Sequence, residues 1–539
     1  MTGPDHETRR LVQATAQAFS QGDRAAAANF ARAVLARAPL EPNANQILGI
    51  VALEAGDPNV ARAHLLRADA SAPNQPQILN TLGVALRRCG DIAGARDRFR
   101  RAGELGLIDG WRNLGNLEEI ERNTDASVAA YRKAVRIAAN DPASHAALAR
   151  AAELRHDLAG AKLHAETALR GDPGNETARL ALAQVLIRER DFAGAEAAAT
   201  PITANPRALQ TNRALAWGLI GEARDRGDDA RGAFAAFTQS NAILLEQNAA
   251  LLSASHLLYH PEGVARMQAL VAQTDVAAWR VAGPSATPAP VFLVGFPRSG
   301  TTLLDQILSS HSSIVCIEER EHFANALASV ISDQEKLAHF ADLSDAEIER
   351  ARAEFWRRVD EDGVDRAGKL VIDKLPLNIV VLPLIKRVFP EAKIIFALRD
   401  PRDVILSCYQ QRFGMNAAMA QFLELNSAAA YYDAIMRLMQ LCEERLALDR
   451  HRIRYEDVVA DVEGAARALT QFLGVAFEPS MLDFRSTALK RDINTPSARQ
   501  VIEPLYKRSI QRWRRYAQDL APALPILNAW AARFGYTAD

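Results

Sequence analysis

The feature that most constrains this chain is a period. A Gly-Asp pair stands at Gly22, Gly56 and Gly90, spaced 34 residues apart, with Ala27, Ala61 and Ala95 at a common later phase. Leu48-Gly49, Leu82-Gly83 and Leu114-Gly115 mark the helix that precedes each later turn, and Trp111 lies four residues before Gly115. Looser copies follow in "HDLAGAKLHAETALRGDP", "RDFAGAEAAATPITANP" and "RGDDARGAFAAFTQSNAIL". A helix-turn-helix unit of this length cannot bury its apolar face alone, so successive units must stack into an α superhelical array with a concave groove. The array is expected over about residues 8 to 245, within a helical domain at 1–250. A chain of 539 residues needs at least one more core.

Beyond about residue 250 the period is lost. Residues 251–289 read as a connecting helix and a Pro-rich linker ending in "RVAGPSATPAPVF". Residues 290–539 read as a second domain. Four short runs rich in branched residues, "VFLVG", "SIVCI", "KLVID" and "KIIFAL", fit buried strands separated by amphipathic helices. That alternation predicts an α/β, P-loop-like domain with a parallel sheet, whose ligands bind beyond the carboxyl ends of the strands. The polar residues just after those runs are Arg298, Glu318-Glu319, Lys374 and Arg399. Two arginines, a lysine and a glutamate pair are thereby expected on one sheet edge.

The loop "GFPRSGTT" (295–302) brackets four residues between glycines and opens a helix with two threonines. Backbone N–H groups at such a turn, with the positive helix end, hold a phosphate. Arg298, Ser299, Gly300, Thr301 and Thr302 are its expected ligands. Thr301 stands where a nucleotide triphosphatase carries the lysine that reaches the β- and γ-phosphates. A second anion site is expected in "FALRDPRDVILS", where Asp400 suits an N-cap and Pro401 the first helical position. Arg399 and Ser407 would flank one phosphate there, unless Arg399 instead pairs with Asp400 or Asp403. Two phosphate sites suggest a nucleotide with phosphates at both ends of its ribose.

The array resembles the tetratricopeptide repeat. The pair "PRSGTT" and "RDPRDVILS" resembles the sulfotransferases that use 3′-phosphoadenosine 5′-phosphosulfate (PAPS), and "VCIEE" with "DKLPLN" is most similar to the tyrosylprotein sulfotransferase group. The resemblance covers roughly residues 290 to 520. It implies that Arg298 through Thr302 hold the 5′-phosphosulfate and that Arg399 with Ser407 hold the 3′-phosphate. It also implies Glu319 as general base, Lys374 as the cation at the leaving phosphate, and Tyr455, Ser497 and Arg512 beside the cofactor. Glu318 and Glu319 would point to opposite faces of an extended strand, so only one is expected to serve. Glu321 stands where that group carries a basic, acceptor-contacting residue.

Formal net charge is −1, which gives no reason to expect nucleic acid or an anionic membrane as the main partner. No apolar leader or membrane span is evident, and the four cysteines lie far apart, so a reduced, cytoplasmic chain is expected and no metal. The expected partner is a hydroxyl acceptor, with a protein or peptide in the repeat groove as one candidate; a homodimer is left open. A basic run between Arg485 and Arg515 reads as a solvated face or as the border of an anionic ligand. The competing readings are a P-loop kinase or NTPase using magnesium-ATP, with Asp373 on the metal, and a non-catalytic repeat scaffold.

Overall fold

A computed structural model of the chain describes residues 6–273, 275, 279, 287–490 and 509–537. The chain parts into two compact units, 1–212 and 213–539.

The first unit is a run of helices of 13 to 15 residues, from His6–Ser20 to Phe192–Ala204, each packed on its neighbours. The period has a simple local cause. The turn that carries the Gly-Asp phase has one residue with positive φ and then an N-cap residue. Gly22, Gly56 and Gly90 supply the first at φ +81°, +81° and +83°. Asp23, Asp57 and Asp91 supply the second, each accepting the N–H of the residue three further on at 2.8–3.1 Å. In later copies Arg122, His156 and Arg190 take the positive-φ position without glycine, at a steric cost, while Asp157 and Asp191 keep the cap. That exchange is why the later copies look loose in sequence. Where helices cross, a side chain on Gly83 would meet the Phe99 ring at 2.6 Å, and one on Gly115 the Tyr131 ring at 2.7 Å.

The second unit contains a five-stranded sheet: β1 (Val291–Gly295), β2 (Ile314–Glu318), β3 (Leu370–Lys374), β4 (Lys393–Leu398) and β5 (Asp449–Arg454), in order β2-β3-β1-β4-β5. All neighbours are parallel. Side chains of β1 alternate between two cores. Phe292 and Val294 pack with Phe389, Val404 and Ile435 on one face, whereas Val291 and Leu293 pack with Leu304, Ile307 and Leu469 on the other. Helices thus cover both faces, the three-layer arrangement that a parallel sheet requires. The four apolar runs are β1 to β4. The fifth strand, "DRHRIR", lies outside the sequence expectation because it is charged and largely exposed. Its charge is absorbed locally, as Arg450 and Arg452 both reach the carboxylate of Glu443.

The helices Gln210–Arg226 and Ala230–Gln247, read in sequence as the end of the array, pack with the second unit. Ala233 and Phe237 share a core with Leu406, Tyr409, Trp513, Tyr516 and Leu520. Phe234 stacks on Tyr409 with ring centroids 5.2 Å apart.

Candidate active site

Strand β1 delivers the chain into the loop Phe296–Gly300 at the carboxyl edge of the sheet. The Ser299 N–H donates to the Phe296 carbonyl at 3.1 Å, and Arg298 and Gly300 both take positive φ, +72° and +94°. A non-glycine residue in that region is strained, and such strain concentrates at functional sites. Gly300 is required twice over, since a Cβ on it would stand 2.7 Å from Cδ2 of the Tyr455 ring. It is also the N-cap of the helix Thr301–Ser309 and offers no side chain to the first amides. The loop amides and helix end have the geometry that suits an anion, without a lysine.

The segment expected as a second anion site is hydrogen-bonded to this loop. The Arg298 Nε donates to Ser407 Oγ at 3.0 Å. Arg399 donates to the Arg298 carbonyl at 3.0 Å and to the Ser509 carbonyl at 2.7 Å, with its guanidinium 4.9 Å over the Tyr455 ring. The Tyr455 and Ser509 hydroxyls share a hydrogen bond at 2.9 Å. The Arg399 Nε is buried with no hydrogen-bond partner among the described residues, the kind of unsatisfied donor an anionic ligand would complete. Neither nearby carboxylate takes Arg399. Asp400 caps Arg402 N–H at 3.0 Å and pairs with its guanidinium at 2.8 Å; Asp403 accepts the N–H groups of Gln511 at 2.7 Å and Trp513 at 2.8 Å. Burial pushes the Asp403 carboxyl up to about 6, against the opposing pull of Arg399.

Strand β3 adds the third cation. Register sets Lys374 beside Leu293 of β1 and Glu318 of β2, and its side chain is fully buried. Its Nζ lies 3.1 Å from Glu319 Oε1 and 3.7 Å from Glu318 Oε1. The expectation that strand alternation separates the two glutamates is therefore corrected. Strand β2 ends at Glu318, and Glu319 turns to φ +44° while its N–H donates to the Lys374 carbonyl at 2.9 Å. That left-handed residue cancels the alternation and brings both carboxylates to one lysine.

The rival metal ligand is elsewhere. Asp373 is fully buried, accepts among the described residues only the Asn378 amide at 3.4 Å, and burial pushes its carboxyl up to about 8. A carboxyl held toward its neutral form in the core is a poor magnesium ligand. Arg512, expected beside the cofactor, has its guanidinium on Asp225 at 2.5 Å. Ser497 lies outside the described residues. Thr301 and Thr302 are buried at the start of the loop helix. Sequence reasoning missed Ser509 and Asp225, since no motif marks a backbone carbonyl as a ligand or a helix end as a docking point. For Asp403 its place on the Ser407 helix was the available signal.

Residues 290–479 match the family model described as Sulfotransferase family, so the C-terminal half carries a sulfotransferase-family domain. An uncharacterized protein of Aquifex aeolicus is 30% identical over 250 residues, which are 44% of this chain and 32% of that protein. Protein-tyrosine sulfotransferase A of Caenorhabditis elegans is 24% identical over 261 residues, covering 46% of this chain and 67% of its own length. Protein-tyrosine sulfotransferase 2 of Gallus gallus is 26% identical over 268 residues, covering 46% and 69%. The chain thus spans about a third of the first relative and about two thirds of the other two. Among solved structures, a tetratricopeptide repeat protein from Parabacteroides merdae is similar at TM-score 0.34 and 13% identity, over 44% of this chain and 94% of that one. No helix among the described residues is long and apolar enough to cross a membrane.

Proposed function

We propose that the C-terminal domain transfers the sulfuryl group of PAPS to a hydroxyl acceptor, with a peptide tyrosine as the first acceptor to try. The observation that carries this reading is the link between the two anion sites: Arg298 reaches Ser407, and Arg399 reaches the Arg298 carbonyl. Such a pair suits a nucleotide phosphorylated at both ends of its ribose. The similarity to protein-tyrosine sulfotransferases supports the acceptor class.

The residues then divide the work. The cradle 298–302 would hold the 5′-phosphosulfate, while Arg399, Ser407 and Tyr455 would hold the 3′-phosphate and neighbouring ribose. Glu319 takes the proton of the acceptor hydroxyl as that oxygen bonds to sulfur. The sulfur–oxygen bond to the phosphate breaks, and the electron pair leaves with adenosine 3′,5′-bisphosphate. Lys374 and Arg298 face the negative charge that grows on the departing oxygen, where fixed cations in a dry site contribute most. A phenol has a pKa of about 10, so a positioned carboxylate is needed and typically contributes ~10² to 10⁴ in rate. This chemistry has no β,γ-phosphate to clamp, which accounts for threonine in the lysine position.

The test is Glu319→Gln, assayed by transfer of radiolabelled sulfur from PAPS to a tyrosine peptide library. Turnover should fall by about two to four orders of magnitude with bisphosphate affinity retained. Undiminished turnover removes Glu319 from the chemistry.

A further inference from the structure

We infer that the helical hairpin Gln210–Arg226 and Ala230–Gln247 is part of the donor-nucleotide site, and that Asp225 is the positioning residue through which it acts. The inference rests on the reading that Arg399 and Ser407 take the 3′-phosphate.

The site has two flanks, and the hairpin grips both. One flank is the helix Pro401–Gln410, which carries Ser407. Near its end the Asn241 amide donates to the buried Tyr409 carbonyl at 2.9 Å, and Thr238 shares a hydrogen bond with the Tyr409 hydroxyl at 2.9 Å. The other flank is the segment 509–516. Its Ser509 carbonyl accepts from Arg399 and its Ser509 hydroxyl meets Tyr455, so the position of this segment decides where the Arg399 guanidinium points. Asp225 holds the far end of that segment. Its carboxylate accepts from Arg512 at 2.5 Å and from the Tyr516 hydroxyl at 2.5 Å, and its carbonyl accepts from Arg515 at 3.2 Å. Arg512 and Arg515, reaching Asp225 at the last turn of Gln210–Arg226, also complement the negative end of that helix. Between those anchors Asp403 fixes the Gln511 and Trp513 amides, with Gln511 at φ +57°.

Arg512 therefore acts by holding the strap, and does not touch the nucleotide. A side chain committed to a charge-assisted bond with a largely buried carboxylate is not available for a phosphate without breaking that bond. The linkage has a functional meaning: helices that sequence phase assigns to the repeat array support the donor site.

The experiment uses the full chain. Calorimetric affinity for adenosine 3′,5′-bisphosphate and the KM and kcat for PAPS are measured for wild type, Asp225→Ala, Tyr516→Phe, Arg512→Ala and Asp225→Ala/Arg512→Ala. A lost charge-assisted hydrogen bond corresponds to roughly a tenfold change. Asp225→Ala should raise the bisphosphate Kd and the KM for PAPS by about that factor, with kcat at saturating PAPS near wild type. Adding Arg512→Ala to it should change Kd by less than about twofold, since the two groups act as a unit. Tyr516→Phe, which removes one grip and keeps the ring, should give a smaller shift in the same direction and serves if Asp225→Ala does not fold. Wild-type affinity in both Asp225→Ala and Tyr516→Phe overturns the inference. So does a full further loss on adding Arg512→Ala, which would make Arg512 a direct ligand. If wild type itself fails to bind the bisphosphate, the donor reading fails and the inference goes with it; binding by wild type with unaltered variants sinks the inference alone.

Discussion

Gly300→Ala isolates the anion cradle with a single methyl group. Two costs can be read from the structure. Gly300 sits at φ +94°, where a Cβ costs about 1–2 kcal/mol. That Cβ would also stand 2.7 Å from the Tyr455 ring, closer than carbon atoms tolerate, so ring or loop must move. The ring is held by its hydrogen bond to Ser509 and by the Arg399 guanidinium, so displacing it disturbs three members of the proposed 3′-phosphate site. Backbone strain alone should lower the melting temperature of the C-terminal transition by roughly 2–8 °C, at about 2–4 °C per kcal/mol. Bisphosphate affinity should fall by about tenfold or more, equivalent to ~1.4 kcal/mol. Adding Tyr455→Ala separates the causes: it relieves the collision and should recover part of the stability, while affinity stays low because the ring is gone. Thermal unfolding with and without adenosine 3′,5′-bisphosphate reads both quantities. Wild-type stability and affinity in Gly300→Ala would refute the close-approach argument.

Arg399→Lys should weaken the bisphosphate by about tenfold, because a lysine cannot bridge the Arg298 and Ser509 carbonyls as a guanidinium does; titration calorimetry checks this. Asp373→Asn should stabilise the chain at neutral pH, by on the order of 4 kcal/mol. The buried carboxyl has its pKa pushed up to about 8, so between pH 4 and 8 it ionises in the unfolded chain but stays neutral in the fold; wild-type stability falls over that window, and the variant's advantage should grow with it in denaturant melts. Asp403→Asn should behave similarly over a narrower range. Its stability relative to wild type should rise between about pH 4 and 6, by at most about 3 kcal/mol, and stay level above. A constant difference at every pH would place the Asp403 titration elsewhere.

The parts of this molecule legible in sequence are those whose cause is local. The 34-residue phase shows because one turn per unit carries a positive-φ residue followed, in most copies, by an aspartate cap, as at Gly56-Asp57. The first four strands show because they are buried on both faces, and the anion loop because its glycine and threonines follow a strand directly. What was hidden depends on partners and backbone turns that no motif marks. The fifth strand is masked by arginines that Glu443 absorbs. The joint approach of Glu318 and Glu319 to Lys374 depends on one backbone turn that no residue type announces. The hairpin at 210–247 keeps enough repeat phase to read as array, and only the partners of Asp225 and Asn241 reveal where it packs.

The most direct test of the sulfuryl-transfer reading is thermal unfolding of the full chain with adenosine 3′,5′-bisphosphate, and separately with ATP and magnesium. A ligand at ~100 times its dissociation constant stabilises by about 2.7 kcal/mol. The account predicts that the C-terminal transition shifts upward with the bisphosphate and does not move with magnesium-ATP. A shift with magnesium-ATP alone would contradict it and restore the kinase reading; no shift with either would leave a scaffold.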